Sequence, residues 1–171
     1  MNTNDFIKNR FRTLLEGFNM PNLRLVKPVE ISDEEREAIK NVQSEDLVIS
    51  DVGNDGHSIV HMKIDFPFDT DASDGIVVDI QLIQESIYQI HISLSKSLQD
   101  MGLGTKIYKA LINDLGHLYS GKGRRMNPIV DKIWGKLDGE GGIECINTEK
   151  GNMCMKKGHP NRDDLIKFMQ S

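Results

Sequence analysis

Two glycines one residue apart, Gly102 and Gly104, stand in the run SLQDMGLGTKIYKALINDLG, where an extended stretch gives way to apolar residues at helical spacing. Glycine at the mouth of a helix serves one of two purposes. It lets the chain turn tightly from strand to helix, or it lets several backbone N–H groups converge where the dipole and the unpaired first-turn amides attract a phosphate. Chemistry also needs acid–base groups. The histidines, at positions 57, 61, 91, 117 and 159, are scattered without metal-ligand spacing, so no metal site is expected. His91 falls on the polar side of an alternating segment, where an imidazole has the intrinsic pKa for proton transfer near neutrality, and His61 is placed to face it from another strand. Glu85 and Tyr119 are further acid–base candidates. Cys145 and Cys154 are too few for a disulfide framework or for a zinc site of their own.

The elements that must position these groups read as follows. Ile7, Phe11, Leu14, Leu15 and Phe18 form one stripe, which predicts a helix over residues 4–18 with Asn4 able to cap it. Ser32-Asp33-Glu34-Glu35 is a capping box opening a second, thin helix with Ala38, Ile39 and Val42 on its apolar side. From Asp46 the period falls to two. DLVISDV and HSIVHMKIDF flank Gly53-Asn54-Asp55-Gly56, a cluster suited to the return of a hairpin. In the second strand Val60, Met62, Ile64 and Phe66 face one way, and His61, Lys63 and Asp65 the other. IVVDIQLI and IYQIHISL follow around the turn Gln84-Glu85-Ser86, with Ile90, Ile92 and Leu94 inward and His91 and Ser93 outward. Four consecutive strands predict a largely antiparallel sheet.

The helix after the glycine loop carries Leu103, Ile107, Leu111 and Leu115 at every fourth position and stops at Gly116. HLYS is a short strand, and Asn127-Pro128 starts another helix with Ile129, Ile133, Trp134 and Leu137 as its buried side. IECIN and NMCMK form a second hairpin around Thr148-Glu149-Lys150-Gly151. That register pairs Asn147 with Asn152 and sets Cys145 opposite Cys154. Asn161 caps a last short helix through Phe168. Tyr108 reads as a helix residue packed on the sheet.

Composition excludes several classes. The 171 residues hold one well-buried core and are too few for two ordinary domains. A formal charge of −5 gives no surplus of cations for a nucleic-acid face. No window reaches the length of a membrane span, and MNTNDFIKNR lacks the apolar core of a signal, so a cytoplasmic protein is expected.

Gln99-Asp100-Met101-Gly102-Leu103-Gly104, together with the order helix, helix, four strands, helix, strand, helix, two strands, resembles the GNAT superfamily of acetyltransferases. The signature of that family is Gln or Arg, two residues, Gly, one residue, then Gly or Ala. The resemblance covers residues 6–156 in element order and residues 87–137 in detail. It implies an α+β fold over residues 1–171: a mixed, mostly antiparallel sheet of six to seven strands flanked by helices, with a short C-terminal helix added. It also implies acetyl-CoA as co-substrate. Gln99, Gly102, Leu103, Gly104 and Thr105 would then cradle the pyrophosphate, while Ile92 and Leu94 would pair with the pantetheine arm as with one more strand. Asn127 belongs to the same coenzyme-binding set. Lys96, Lys122, Arg124 and Arg125 would screen remaining phosphate charge, or simply form a solvated loop face.

Two positions depart from the family pattern. No carboxylate stands between Ile87 and Leu98, where members often carry a glutamate on the fourth strand. The usual tyrosine acid, counted from Asn127, falls on Trp134, and indole cannot serve as that acid. The segment GHLYSGKGRRMNPIVDKIWGKL is also similar to small GNAT-like proteins of bacteriophages. Two readings follow from these resemblances. One is an N-acetyltransferase acting on a small amine or peptide amine. The other is a catalytically inactive GNAT-fold structural protein of a phage virion or other large assembly, whose partners are other protein chains.

Overall fold

A computed structural model describes residues 26–54, 59–84, 86–121 and 128–171. The helix expected over residues 4–18 lies outside these, as do His57, Glu85, Lys122, Arg124, Arg125 and Asn127.

The first described helix, α1 (Asp33–Asn41), begins where the capping box places it. Glu35 N–H donates to Ser32 Oγ at 3.1 Å and Ser32 N–H to Glu35 Oε2 at 2.7 Å. Ile39 is fully buried and Val42, which ends the helix, nearly so. The first strand starts later than its alternation suggested. Asp46 belongs to a 3₁₀ turn, Ser44–Asp46, in which its own carboxylate accepts the Gln43 N–H, and β1 runs Val48–Asn54. β2 (Ile59–Asp65), β3 (Ile76–Ile83) and β4 (Ile87–Leu94) follow. The glycine loop leads into α2 (Leu103–Leu115), closed by Gly116. Then come β5 (His117–Gly121), α3 (Pro128–Leu137), β6 (Ile143–Thr148), β7 (Gly151–Lys156) and α4 (Arg162–Gln170).

The protein is therefore α+β, and its described residues form one seven-stranded sheet in the order β1-β2-β3-β4-β5-β7-β6. Every neighbouring pair is antiparallel except β4 and β5, which are parallel. The late hairpin keeps the expected register, Cys145 opposite Cys154 and Asn147 opposite Asn152. Its return is tighter than read, because Thr148 and Gly151 pair as strand residues and leave only Glu149 and Lys150 in the turn. Cys145 and Cys154 are joined by a disulfide. α4 departs from expectation at its start, since the Asn161 side chain makes no capping bond and its N–H donates instead to His159 Nδ1.

Alternation along the strands splits the sheet into two faces. Val60, Met62, Ile64, Val78, Ile80, Tyr88, Ile90, Leu118 and Cys154 join the main core with residues of α1, α2 and α3. The opposite face buries Ile87, Tyr119, Met153 and Met155 beneath Leu165, Phe168 and Met169 of α4. From α2, Leu103, Ile107, Leu111 and Leu115 are all buried, and side chains of this kind stabilise by roughly 1.5–3 kcal/mol each when fully removed from water. Lys106 ties α2 to α1 by donating from Nζ to the Lys40 carbonyl at 2.6 Å. It meets the carbonyl end of that helix, where a cation suits the dipole.

Candidate functional site

β4 and β5 meet at one register pair, Gln89 with Tyr119. Beyond it β4 stays with β3 as far as Leu94, while β5 follows β7 to Gly121. The two central strands thus part toward the glycine-loop end. The direction of the main-chain groups at that edge follows from two bonds. Tyr88 N–H turns toward β5 and donates to His117 Nε2, and Ser95 N–H turns the other way to the Gly75 carbonyl. By alternation, the N–H and C=O of Ile92 and Leu94 point into the space between β4 and β5.

The loop that follows is held by Leu98 and Met101, both buried, and Leu98 ends a 3₁₀ turn, Lys96–Leu98. Gly102 is the N-cap of α2, in a left-handed conformation with φ of 72°, and as a glycine it has no side chain with which to cap the helix. A Cβ at Gly102 would meet nothing within 4 Å. The first-turn amides of a helix have no partner within it, so those of Leu103, Gly104 and Thr105 converge beside this open glycine. Gly104 is small for a different reason. A Cβ there would lie 3.0 Å from Ile133 Cδ1, so the start of α2 is packed closely on α3. The Gln99 side chain crosses to β4 and donates from Nε2 to the Leu94 carbonyl at 3.1 Å, one of the main-chain groups that faces the gap.

The sheet face away from α2 carries the histidines. His61 on β2, Asp79 on β3 and His91 on β4 are consecutive cross-strand partners, which puts all three side chains in one row. His61 Nδ1 lies 2.6 Å from Asp79 Oδ1, with Asp79 1% and His61 9% exposed. His91 is half-buried; burial pushes its pKa below the usual imidazole value, and the negative charge of Asp79 draws it partly back. His61 therefore does not meet His91 directly, because Asp79 stands between them. Sequence reasoning passed over Asp79, though a carboxylate inside IVVDIQLI, in step with Val77 and Gln81, was the available signal.

The other acid–base candidates stand apart. Tyr119 shares the His91 face, but its hydroxyl donates to the Lys150 carbonyl at 3.0 Å and its ring packs edge-on against Phe168. Burial raises its pKa. A proton so engaged is poorly placed for transfer to a substrate. Trp134, where the resemblance would put a tyrosine acid, is 3% exposed and packs edge-on against Tyr108 in the core. Burial pushes the Tyr108 hydroxyl far above its ordinary range, so it too stays protonated.

A cavity of about 380 Å³ opens at the other end of β4. Ser86, Ile87, His117, His159, Leu165 and Phe168 are among its lining residues, so it lies away from the glycine loop. No group of three or more His, Cys, Asp or Glu able to hold a metal ion occurs among the described residues. No helix among them is long and apolar enough to cross a membrane. Neither a protein-family model nor a curated protein matches the chain.

Proposed function

We propose that the protein is an acyl-CoA-dependent N-acyltransferase of the GNAT type, acting on a small amine or a peptide amine. The parting of parallel β4 and β5 beside an uncapped glycine start of α2 carries this reading. The amides of Leu103, Gly104 and Thr105 would receive the pyrophosphate, with Gly102 leaving room for its approach. The pantetheine arm would lie along Ile92 and Leu94 as an added strand. A backbone N–H near Leu94 would hold the oxyanion formed when a neutral amine attacks the thioester carbonyl. The amide forms as the C–S bond breaks, and the departing thiolate takes up the proton that the attacking nitrogen sheds. His91 is the group suited to accept the proton that the ammonium must lose first.

Calorimetric titration with acetyl-CoA and with coenzyme A tests this directly. Both should bind, with heats that weaken in Gly102→Val, since a branched side chain at that left-handed position obstructs the phosphate approach. Absence of binding at about millimolar ligand, only ~4 kcal/mol of affinity, overturns the proposal.

A second reading is favoured by the blank acid position and by the Gln99 amide on the Leu94 carbonyl. In it the same scaffold has lost catalysis and works through its surfaces, as a structural component of a phage virion or another assembly. Coenzyme binding accompanied by acetylation of polyamines or peptides would overturn that reading.

A further inference from the structure

We propose that Asp79 is a positioning residue for His91, so that His61, Asp79 and His91 act as one proton-accepting row across β2, β3 and β4. The observation is the row itself. Asp79 is almost wholly buried in the middle of the sheet, a costly place for a carboxyl group, and an imidazole stands on the neighbouring strand to either side. His61 Nδ1 lies 2.6 Å from one carboxylate oxygen of Asp79, and because an ionised carboxylate can only accept, the imidazole N–H donates there. That fixes the carboxylate and orients it. His91, directly across from Asp79 in the register, is the less buried imidazole, and the next outward residue on its side of β4, Ser93, is exposed. The row therefore runs from a buried carboxylate–imidazole pair to a histidine near solvent.

The step assigned to it is a single proton transfer. A neutral imidazole nitrogen of His91 takes a proton from the ammonium of the acceptor, leaving a neutral amine and an imidazolium that faces the Asp79 carboxylate. Burial alone works against that imidazolium, and the carboxylate opposes the penalty. The titratable groups facing His91 from the described elements around it are Asp79 on β3, His61 beyond it on β2 and Tyr119 on β5. The phenol of Tyr119 is neutral and bonded elsewhere, so Asp79 supplies the charge.

Only the source of the proton rests on the acyl-transfer reading. The row is tested without substrate, by following the His91 imidazole through a pH titration by NMR in the wild type and in Asp79→Asn. The midpoint should fall by about one pH unit or more in the variant, a tenfold or greater loss of proton affinity. An unchanged midpoint in a folded variant overturns the proposal. Should Asp79→Asn fail to fold, Asp79→Thr, a neutral strand former whose hydroxyl can still accept from His61, is followed through the same His91 titration. An unchanged midpoint there overturns the proposal equally. Acetyl-CoA calorimetry on the same samples separates the two ideas. A displaced midpoint without coenzyme binding keeps the row and retires acyl transfer, whereas binding with an undisplaced midpoint does the reverse.

Discussion

Trp134 carries a buried indole N–H with no acceptor among the described residues. An unsatisfied buried donor costs about 1–3 kcal/mol, and removing it recovers most of that cost if the shape is kept. Trp134→Phe loses ring volume but also loses the orphaned N–H, so its stability should stay within about 1 kcal/mol of wild type, whereas Trp134→Ala should lose about 3–5 kcal/mol. Urea unfolding of the two variants checks this; equal losses would mean that the N–H is satisfied in solution. The same residue shows what a sequence discloses at this scale. That Trp134 is core and not an acid was readable from the apolar stripe it shares with Ile133 and Leu137. Asp79 was not found, because its role depends on which residues of two other strands stand beside it, and register is not written in the strand itself.

Among the elements, the β6–β7 hairpin joins sequence pattern to a covalent consequence. Turn residues and alternation were enough to set Cys145 opposite Cys154, since a hairpin register follows from its turn. The disulfide is less legible, because a count of two cysteines makes neither a framework nor a zinc site, and only the cross-strand geometry joins them as a pair. Their sequence separation is 9, and closing so short a loop lowers the entropy of the unfolded chain by an amount worth roughly 2–3 kcal/mol. Reduction, or Cys145→Ser, should therefore lower Tm by roughly 5–10 °C for a chain of this size. Thermal melts with and without reductant measure it, and coincident melts would show that the hairpin gains nothing from the bond. The elements read most faithfully were those with a strong period and a clear stop: β3, β4 and α2 match the segments picked out by alternation and by Gly116. Boundaries slip where a side chain bonds a nearby main-chain group, as the Asp46 carboxylate does in accepting the Gln43 N–H and shaping the turn before β1.

At the scale of the whole molecule, the sheet is two antiparallel blocks, β1 to β4 and β5 to β7, joined by a parallel contact of one register pair. Helix packing reinforces that seam on one face, where Tyr88 and Leu118 share a core with α2, and α4 does so on the other through Ile87 and Tyr119. Toward the glycine loop the seam opens, and among the described residues β4 keeps only β3 beside it. Hydrogen exchange should therefore alternate along β4. The amides of His91 and Ser93 point to β3 and should be slow, while those of Ile92 and Leu94 point into the gap and should be fast. Coenzyme A, if it lies as an added strand, should slow Ile92 and Leu94 and leave the β3-facing amides as they were. To do so it must displace the Gln99 amide from the Leu94 carbonyl, so Gln99→Ala should bind more tightly than wild type, by a few-fold for one competing neutral hydrogen bond. Uniform protection along β4 before any ligand is added would mean that the strands do not part in solution, and the cleft on which the coenzyme reading depends would be closed.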